Sequence, residues 1–407
     1  MRAPLKIMLA AVEPSADQIG ASLMRELRAM APEASFCGCG GAEMTREGLN
    51  SLFPIDAFAV MGATDVIRVA PLAMRRARDL AEFAALEQVD VAVFIDGWAF
   101  SRLAMTRLRK LAPATTSIKF VAPQVWASRP HRVKFVKKYF DGVLAILPFE
   151  PPFFEKEGVA AEFVGNPNFQ AAWRAKGNSA AFRARHRLGE GPVLAVLLGS
   201  RRQEVNRLAK PFREAVDILA REIPGLRIVS PIAENVDALA RRNLKNWPCD
   251  PVLVGADEKY DAMAAANVAV TASGTASTEL AINRTPMVVA YKADPLTAFW
   301  ANRVKTTPYA SIINVAADRC VIPEFIQENC NGRLIASAAL ALFEDASSYV
   351  DQAEAFDGIL KELGVDGPSA ASLAAARILG WANKGRSRAA LSRIGAGAGA
   401  RFLRDRR

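Results

Sequence analysis

One plan, written twice, limits what this chain can fold into more than any other feature. Near the amino end an apolar run over residues 6–12 gives way to a loop of small and acidic residues, 13–17. An amphipathic stretch follows, with Ile19, Leu23 and Leu27 at helical spacing. Near residue 193 the same order restarts. An apolar run over 193–198 leads to Gly199-Ser200-Arg201, then to a stretch over 204–223 with Val205, Leu208, Phe212, Val216 and Leu219 on one face. Further short apolar runs fall at 89–95, 116–121 and 142–146, and again at 226–231, 252–254, 268–271 and 287–291. Fully apolar strands alternating with helices predict parallel sheets covered on both faces. The expected fold is therefore α/β, with two doubly wound domains facing a cleft at the carboxyl ends of their strands, where such sheets bind ligands.

The 407 residues suit two domains. We expect the first over residues 1–173, a polar, basic, glycine-containing linker over 174–192, and the second over 193–345. Alanine-rich helices follow over 346–383, of which 369–383 is a candidate to pack back on the first domain. Residues 384–407 hold eight Lys/Arg and one Asp, with Gly395, Gly397 and Gly399 among them, and read as a flexible basic tail. That tail carries most of the formal charge of +10: the remainder has 44 basic and 41 acidic side chains. With Phe402 its only aromatic, the tail lacks the interleaving that nucleic-acid binding calls for, and no nucleic acid is expected as a partner.

Only two histidines occur, His131 and His186, so a zinc site of several imidazoles is excluded and any general base should be a carboxylate. The five cysteines lack metal-ligand spacing and read as reduced cytosolic thiols. The amino end offers no signal peptide, and no apolar run is long enough to span a bilayer.

Five segments carry candidate chemistry or binding. Ser273-Gly274-Thr275-Ala276, directly after an apolar run and before a helix, would present backbone N–H groups to a phosphate, with Glu279 one turn on for ribose hydroxyls. A capped helix with Glu279 completing a capping box is the competing reading. In Gly199-Ser200-Arg201 the arginine suits a pyrophosphate leaving group, against a simple pairing with Glu204. Asp96, closing the run at 89–95, is the leading general base, against a role as N-cap of the next helix. Glu13 is placed to orient an acceptor hydroxyl, while Asp17 reads as a cap for its own helix. The loop has no G-x-G-x-x-G, so no dinucleotide fingerprint is present. Finally, Val66, Ile67, Val69, Leu72 and Met74 mix with Arg68, Arg75, Arg76 and Arg78, with Pro71 interrupting. Such a segment either lies in a headgroup layer or packs on a core with a solvated basic face, and from spacing alone the second reading leads.

Together these residues resemble the lipid-A-disaccharide synthase family, glycosyltransferases of the GT-B type with two Rossmann-like domains. The likeness is carried by Glu13-Pro14-Ser15 with Asp17, Gly40-Gly41 with Met44, Val60-Met61-Gly62, and Ile95-Asp96. Further matches are Pro123-Gln124-Val125-Trp126, Leu147-Pro148-Phe149-Glu150, Gly199-Ser200-Arg201 with Glu204, Ser273-Gly274-Thr275-Ala276 with Glu279, Pro286-Met287, and Asn314. It covers residues 5–380 and leaves out the tail. The resemblance implies inverting transfer from UDP-2,3-diacylglucosamine to 2,3-diacylglucosamine 1-phosphate, releasing UDP, with no cofactor and no metal. Asp96 would take the proton of the acceptor's 6-hydroxyl. Ser200, Arg201 and Ser273-Gly274-Thr275-Ala276 would hold the UDP pyrophosphate, and Glu279 the ribose. Glu13, Ser15 and Asn314 fall at the family's cleft. Residues 66–74 coincide with its membrane-facing segment, which shifts that reading toward interfacial binding. The implied location is cytoplasmic and peripheral, on the inner face of a Gram-negative inner membrane, held by this segment; the basic tail, outside the resemblance, is expected to add attraction to an anionic surface through its charge.

The chain departs from the family where Val12 and Ala16 replace glycines, where Gly97-Trp98-Ala99-Phe100 follows Asp96, and where Asn166 replaces a histidine. The alternatives this leaves are a divergent paralogue that mainly binds a UDP-sugar, and a nonhydrolysing UDP-sugar epimerase.

Overall fold

The computed structural model describes residues 4–58, 63–294 and 306–404, and leaves out the side chains of 57, 63–68 and 388–404. The chain forms two compact units, Met1–Pro167 with Pro368–Arg407, and Asn168–Gly367.

The first unit is built on a six-stranded parallel sheet, ordered β2-β1-β3-β4-β5-β6. Its strands are β1 (Lys6–Ala11), β2 (Ser35–Cys39), β3 (Val91–Ile95), β4 (Thr116–Phe120), β5 (Gly142–Ala145) and β6 (Ala161–Phe163). Alternation along the strands sorts the core into two layers. Ile7, Leu9, Val93, Ile118 and Phe120 pack with Ile19, Leu23 and Leu27 of the helix Pro14–Met30 and with Ala374 and Ile378 of the final helix. Met8, Ala10, Ala92, Phe94 and Val143 face the helices Ala63–Leu86 and Trp98–Leu111 on the other side.

The second unit repeats the architecture with the order β12-β11-β10-β7-β8-β9, again all parallel. The strands are β7 (Val193–Leu197), β8 (Arg227–Pro231), β9 (Val252–Val254), β10 (Val268–Ala272), β11 (Met287–Tyr291) and β12 (Glu324–Ile326). The expected apolar face of the helix Arg202–Glu222 closes over this sheet, beside Ile335, Ala339 and Leu342 of the helix Gly332–Glu344.

Three boundaries differ from the sequence-based expectation. The stretch 174–192 is not a bare linker. Asn178 caps a helix, Ser179–Arg185, that packs on the helix Lys259–Ala265, so this stretch is part of the second unit. Pro71 does not interrupt its segment, because the helix Ala63–Leu86 runs through it. The tail does not begin as a flexible chain at residue 384, since one helix runs from Ala370 to Arg404. Alanine-rich sequence favours that helix, and Arg386 anchors it: Nε and Nη2 bind Asp90 at 2.8 and 2.6 Å, and Nη2 also donates to the Pro4 carbonyl at 2.8 Å.

Candidate active site

In each sheet the strand order reverses once, and the chain leaves the neighbouring strands there in opposite directions, opening a crevice at their carboxyl ends. In the first unit the reversal lies between β1 and β3; in the second, between β7 and β10. The loops leaving these four strands hold Glu13, Asp96, Arg201 and Ser273.

Asp96 and Gly97 follow β3 in left-handed conformations, with φ of 48° and 51°. Aspartate is among the few residues with a side chain that accept this region readily. A β-carbon on Gly97 would stand 2.8 Å from Val12 Cγ2 and 3.9 Å from Glu13 Oε1, so the loops after β1 and β3 lie against one another. The N-cap of the helix Trp98–Leu111 is Gly97, and no side chain caps it. The capping role weighed for Asp96 is thereby removed, and the half-buried carboxylate accepts no hydrogen bond from the described residues.

The turn is held from below by a residue that sequence reasoning passed over. Lys119, on β4, is wholly buried, and its Nζ donates to the carbonyls of Asp96, of Phe94 at 3.2 Å and of Phe120 at 3.4 Å. Ser101 Oγ donates to the Asp96 carbonyl as well, at 2.9 Å. Burial lowers the Lys119 pKa to about 8, and the charges of Asp96 and Glu13 work against that shift. The available signal was a lysine inside the strand Thr116–Phe120, whose other positions are all suited to burial.

Around β1, Glu13 sits at the N-cap of Pro14–Met30 without capping it, and Ser15 is exposed on the first turn. Asp17 does not cap its own helix. Its buried carboxylate accepts from the N–H groups of Gly41 (2.7 Å), Glu43 (2.9 Å) and Met44 (3.1 Å), capping the next helix, Ala42–Arg46. A side chain at residue 41 would strike this carboxylate, which accounts for the glycine. Val12 and Ala16, where the resemblance expects glycines, are buried and free of positive φ, so this backbone needs no glycine.

In the second unit, Gly199 turns out of β7 with φ 98°. Buried Glu204 accepts from Ser200 N at 3.1 Å, from Arg201 N at 3.2 Å and from Arg201 Nη1 at 2.7 Å. The backbone donors of Ser200 and Arg201 are thus already spent. What the loop offers outward is the Arg201 guanidinium, 69% exposed even while paired. The pairing of Arg201 with Glu204 is therefore present in the geometry.

After β10, the helix Thr275–Ile282 has Gly274 as its N-cap, extended, and among the described residues no heavy atom outside its chain neighbours and its own helix lies within 4 Å of where a β-carbon would stand. The N–H groups at a helix start are those that anions commonly bind, and here Ser277 N is already donated to the Gly274 carbonyl at 3.3 Å. Ser273 Oγ donates to the Ala310 carbonyl at 3.0 Å, which ties this turn to the segment before Ile312. Glu279 does not complete a capping box. Its Oε1 receives Lys259 Nζ at 2.7 Å and Tyr260 Oη at 3.4 Å. Burial lowers the Lys259 pKa, but Glu279 outweighs it and the net shift is upward. Lys259 and Tyr260, on a different helix, were not visible as partners in the sequence.

Asn314 is wholly buried, donates to Ile322 O and Glu324 Oε1 at 2.8 Å each, and accepts from Val321 N at 2.8 Å and Ile322 N at 2.9 Å. With these four side-chain bonds it braces the approach to β12. Of the segment at 66–74, Val69 and Leu72 are half-buried and Met74 is exposed. The side chains of Val66 and Ile67 lie outside the described residues. No helix among the described residues is long and apolar enough to cross a membrane.

The profile of a family described as lipid-A-disaccharide synthetase matches residues 7–377. A lipid-A-disaccharide synthase of Gluconobacter oxydans is 36% identical over 388 residues, covering 95% of this chain and 93% of that protein. One of Rhodospirillum centenum is 38% identical over 365 residues, 89% of this chain and 90% of its own. In fold, the chain is similar to a putative UDP-N-acetylglucosamine 2-epimerase from Listeria monocytogenes, with a TM-score of 0.62 at 13% identity over 93% of this chain and 95% of that one. It is also similar to the glycotransferase of kitacinnamycin, with a TM-score of 0.55 at 19% identity over 93% and 100% of the two chains.

Proposed function

The chain belongs to the lipid-A-disaccharide synthetase family, and on that premise we propose that Asp96 is the base of an inverting glycosyl transfer whose departing diphosphate is held by Arg201 and the Ser273-Gly274-Thr275-Ala276 turn. The donor is UDP-2,3-diacylglucosamine and the acceptor 2,3-diacylglucosamine 1-phosphate. The acceptor's 6-hydroxyl oxygen attacks the anomeric carbon, its proton passes to an Asp96 oxygen, and the bond from that carbon to the diphosphate breaks with its electron pair leaving on UDP. Inversion in one displacement needs a base and a stabilised leaving group, and no covalent nucleophile.

The observation that carries this reading is the Asp96 turn: a carboxylate at a sheet's reversal point, not spent on capping, above a buried ammonium that fixes its backbone. On the donor side, Arg201 is exposed enough to leave Glu204 for a diphosphate, and the open helix start at Gly274 supplies N–H groups. Glu279, held by Lys259 and Tyr260, keeps Oε2 for the ribose hydroxyls. Glu13, beside Gly97, orients the acceptor, with Ser15 on the adjoining turn.

The alternatives are not favoured. Relatives at 36–38% identity across nearly the whole chain carry the synthase name, whereas the likeness to the epimerase is one of fold at 13% identity. For the membrane, we infer peripheral binding through Val66, Ile67, Val69, Leu72 and Met74 together with the basic carboxyl-terminal segment, because both substrates are anchored by acyl chains.

The test is incubation of the purified protein with both substrates. Disaccharide 1-phosphate and UDP should appear in equal amounts, and their absence would overturn the reading. Asp96→Asn should lower kcat by ~10²–10⁴-fold, as expected for loss of a positioned base.

A further inference from the structure

From Gly97 to Phe140 the chain holds ten Lys/Arg and no Asp or Glu. Two of these arginines find carboxylates elsewhere: Arg107 pairs with Glu82, and Arg109 with Asp141. Three do not. Arg102, Arg129 and Arg132 form no ion pair among the described residues, although Arg102 and Arg132 stand over one aromatic platform and Arg129 is near enough for its charge to act on Arg132. The Arg132 guanidinium stands over the Trp98 ring at 5.3 Å, Trp98 meets Phe135 edge-on at 5.5 Å, and the Arg102 guanidinium lies 5.9 Å from the centre of Phe135. Arg129 completes the group: partial burial, then the charges of Arg129 and Arg102, hold the Arg132 pKa below its usual value.

Like charges gathered without a counter-ion repel, and exposed side chains on flexible stems would ordinarily swing apart. Here two of the three stems rest on rings fixed by packed helices, so the cations are preorganised. The platform also has a definite place. Trp98 is the second residue after Asp96 and opens the helix, and Arg102 lies one turn further along it, about 6 Å of helical rise from Trp98.

We propose that Arg102 and Arg132, over the Trp98–Phe135 platform, bind the phosphomonoester of the acceptor sugar with Arg129 beside them, one sugar ring away from the hydroxyl that Asp96 deprotonates. This rests on reading Asp96 as the base. Arginine forks match phosphate oxygens in pairs, and a dianionic monoester balances three guanidiniums better than the single charge of a phospholipid diester.

The full-length protein is titrated with glucosamine 1-phosphate and with glucosamine. The wild type should bind the phosphate form at least ~10-fold more tightly, and R102A/R132A should lose that preference, with R132K intermediate. In detergent micelles free of phospholipid, R102A/R132A should raise the acceptor KM by about 10- to 100-fold while kcat and the donor KM move little. R132K, which keeps charge and stem, guards against a folding artefact. An unchanged preference for the phosphate form overturns the proposal. It is equally overturned if only binding to phosphatidylglycerol vesicles falls, which would assign the arginines to bilayer headgroups. A wild type that makes no disaccharide defeats the reading of Asp96 as base, and the glucosamine 1-phosphate titration still reads the arginine site by itself.

Discussion

Lys119 is a buried cation whose folded-state pKa lies near 8 because burial disfavours its charge. Its ammonium has three N–H groups, and three carbonyls receive them. As pH rises through about 8 the folded protein loses one of those donors, and the Asp96 turn loses part of its support. The stability effect has the opposite sign. The unfolded chain, with an ordinary lysine, binds more protons between pH 8 and 10.5, so this residue's unfavourable contribution is full below pH 8 and is relieved as pH rises across that window. We therefore expect kcat to fall above pH 8 without a matching loss of stability. Lys119→Arg, charged throughout, should remove the alkaline limb, and Lys119→Met should lower kcat at every pH and destabilise by about 1–3 kcal/mol through unpaired carbonyls. Rate–pH profiles with melting curves check this, and an alkaline limb that persists in both variants would sink it. No hydrophobic pattern announces such a lysine; it was legible only as an anomaly in a buried strand. Asp96 itself was legible because a carboxylate closing an apolar run has few bland roles, and the structure eliminates one of them.

At the scale of elements, the repeated strand–loop–helix plan was readable because parallel strands buried on both faces leave continuous apolar runs and their helices keep a clean stripe. What was not readable is where loops spend their hydrogen bonds, which depends on partners distant in sequence. Asp17 caps a helix 24 or more residues away, and Asn314 knits Val321, Ile322 and Glu324. Two of the family-like motifs prove to be one device: buried Glu150 accepts from Trp126 Nε1 at 3.1 Å and from the N–H groups of Ile146 and Leu147. The loop after β7 allows a direct test. Gly199 has φ 98°, and a β-carbon there would lie 2.5 Å from Glu204 Oε2, the atom that gathers two loop N–H groups. Gly199→Ala should cost about 1–3 kcal/mol in stability and weaken UDP binding roughly tenfold by displacing Arg201. Calorimetric titration with UDP measures the second effect, and an affinity like the wild type's would show that this loop does not touch the diphosphate.

For the whole molecule, the question is what the basic carboxyl end does. Its helix is held within the first unit at Arg386, whose pair with Asp90 is half-buried on both sides. That pair holds the Asp90 carboxyl below its usual pKa despite partial burial, so the stability it supplies is present above pH 3.8 and lost as pH falls further. Beyond Ser387 come six Lys/Arg and one Asp, a net of +5 with no part in the pair. Two truncations therefore separate anchoring from membrane attraction. Ending the chain after Ser387 keeps Arg386 and should leave the melting temperature unchanged. It should weaken binding to vesicles containing phosphatidylglycerol by on the order of 10²–10³-fold at low salt, given roughly 1 kcal/mol per basic residue near an anionic surface. That difference should shrink as salt shortens the screening length. Ending it after Asn383 should add a loss of about 1–2 kcal/mol in stability, because Asp90 loses its charged partner, and should flatten the acid limb of stability below pH 3.8. If the shorter cut alone leaves vesicle affinity and its salt dependence intact, the surplus charge belongs to solvent, and the segment at 66–74 must carry the membrane contact by itself.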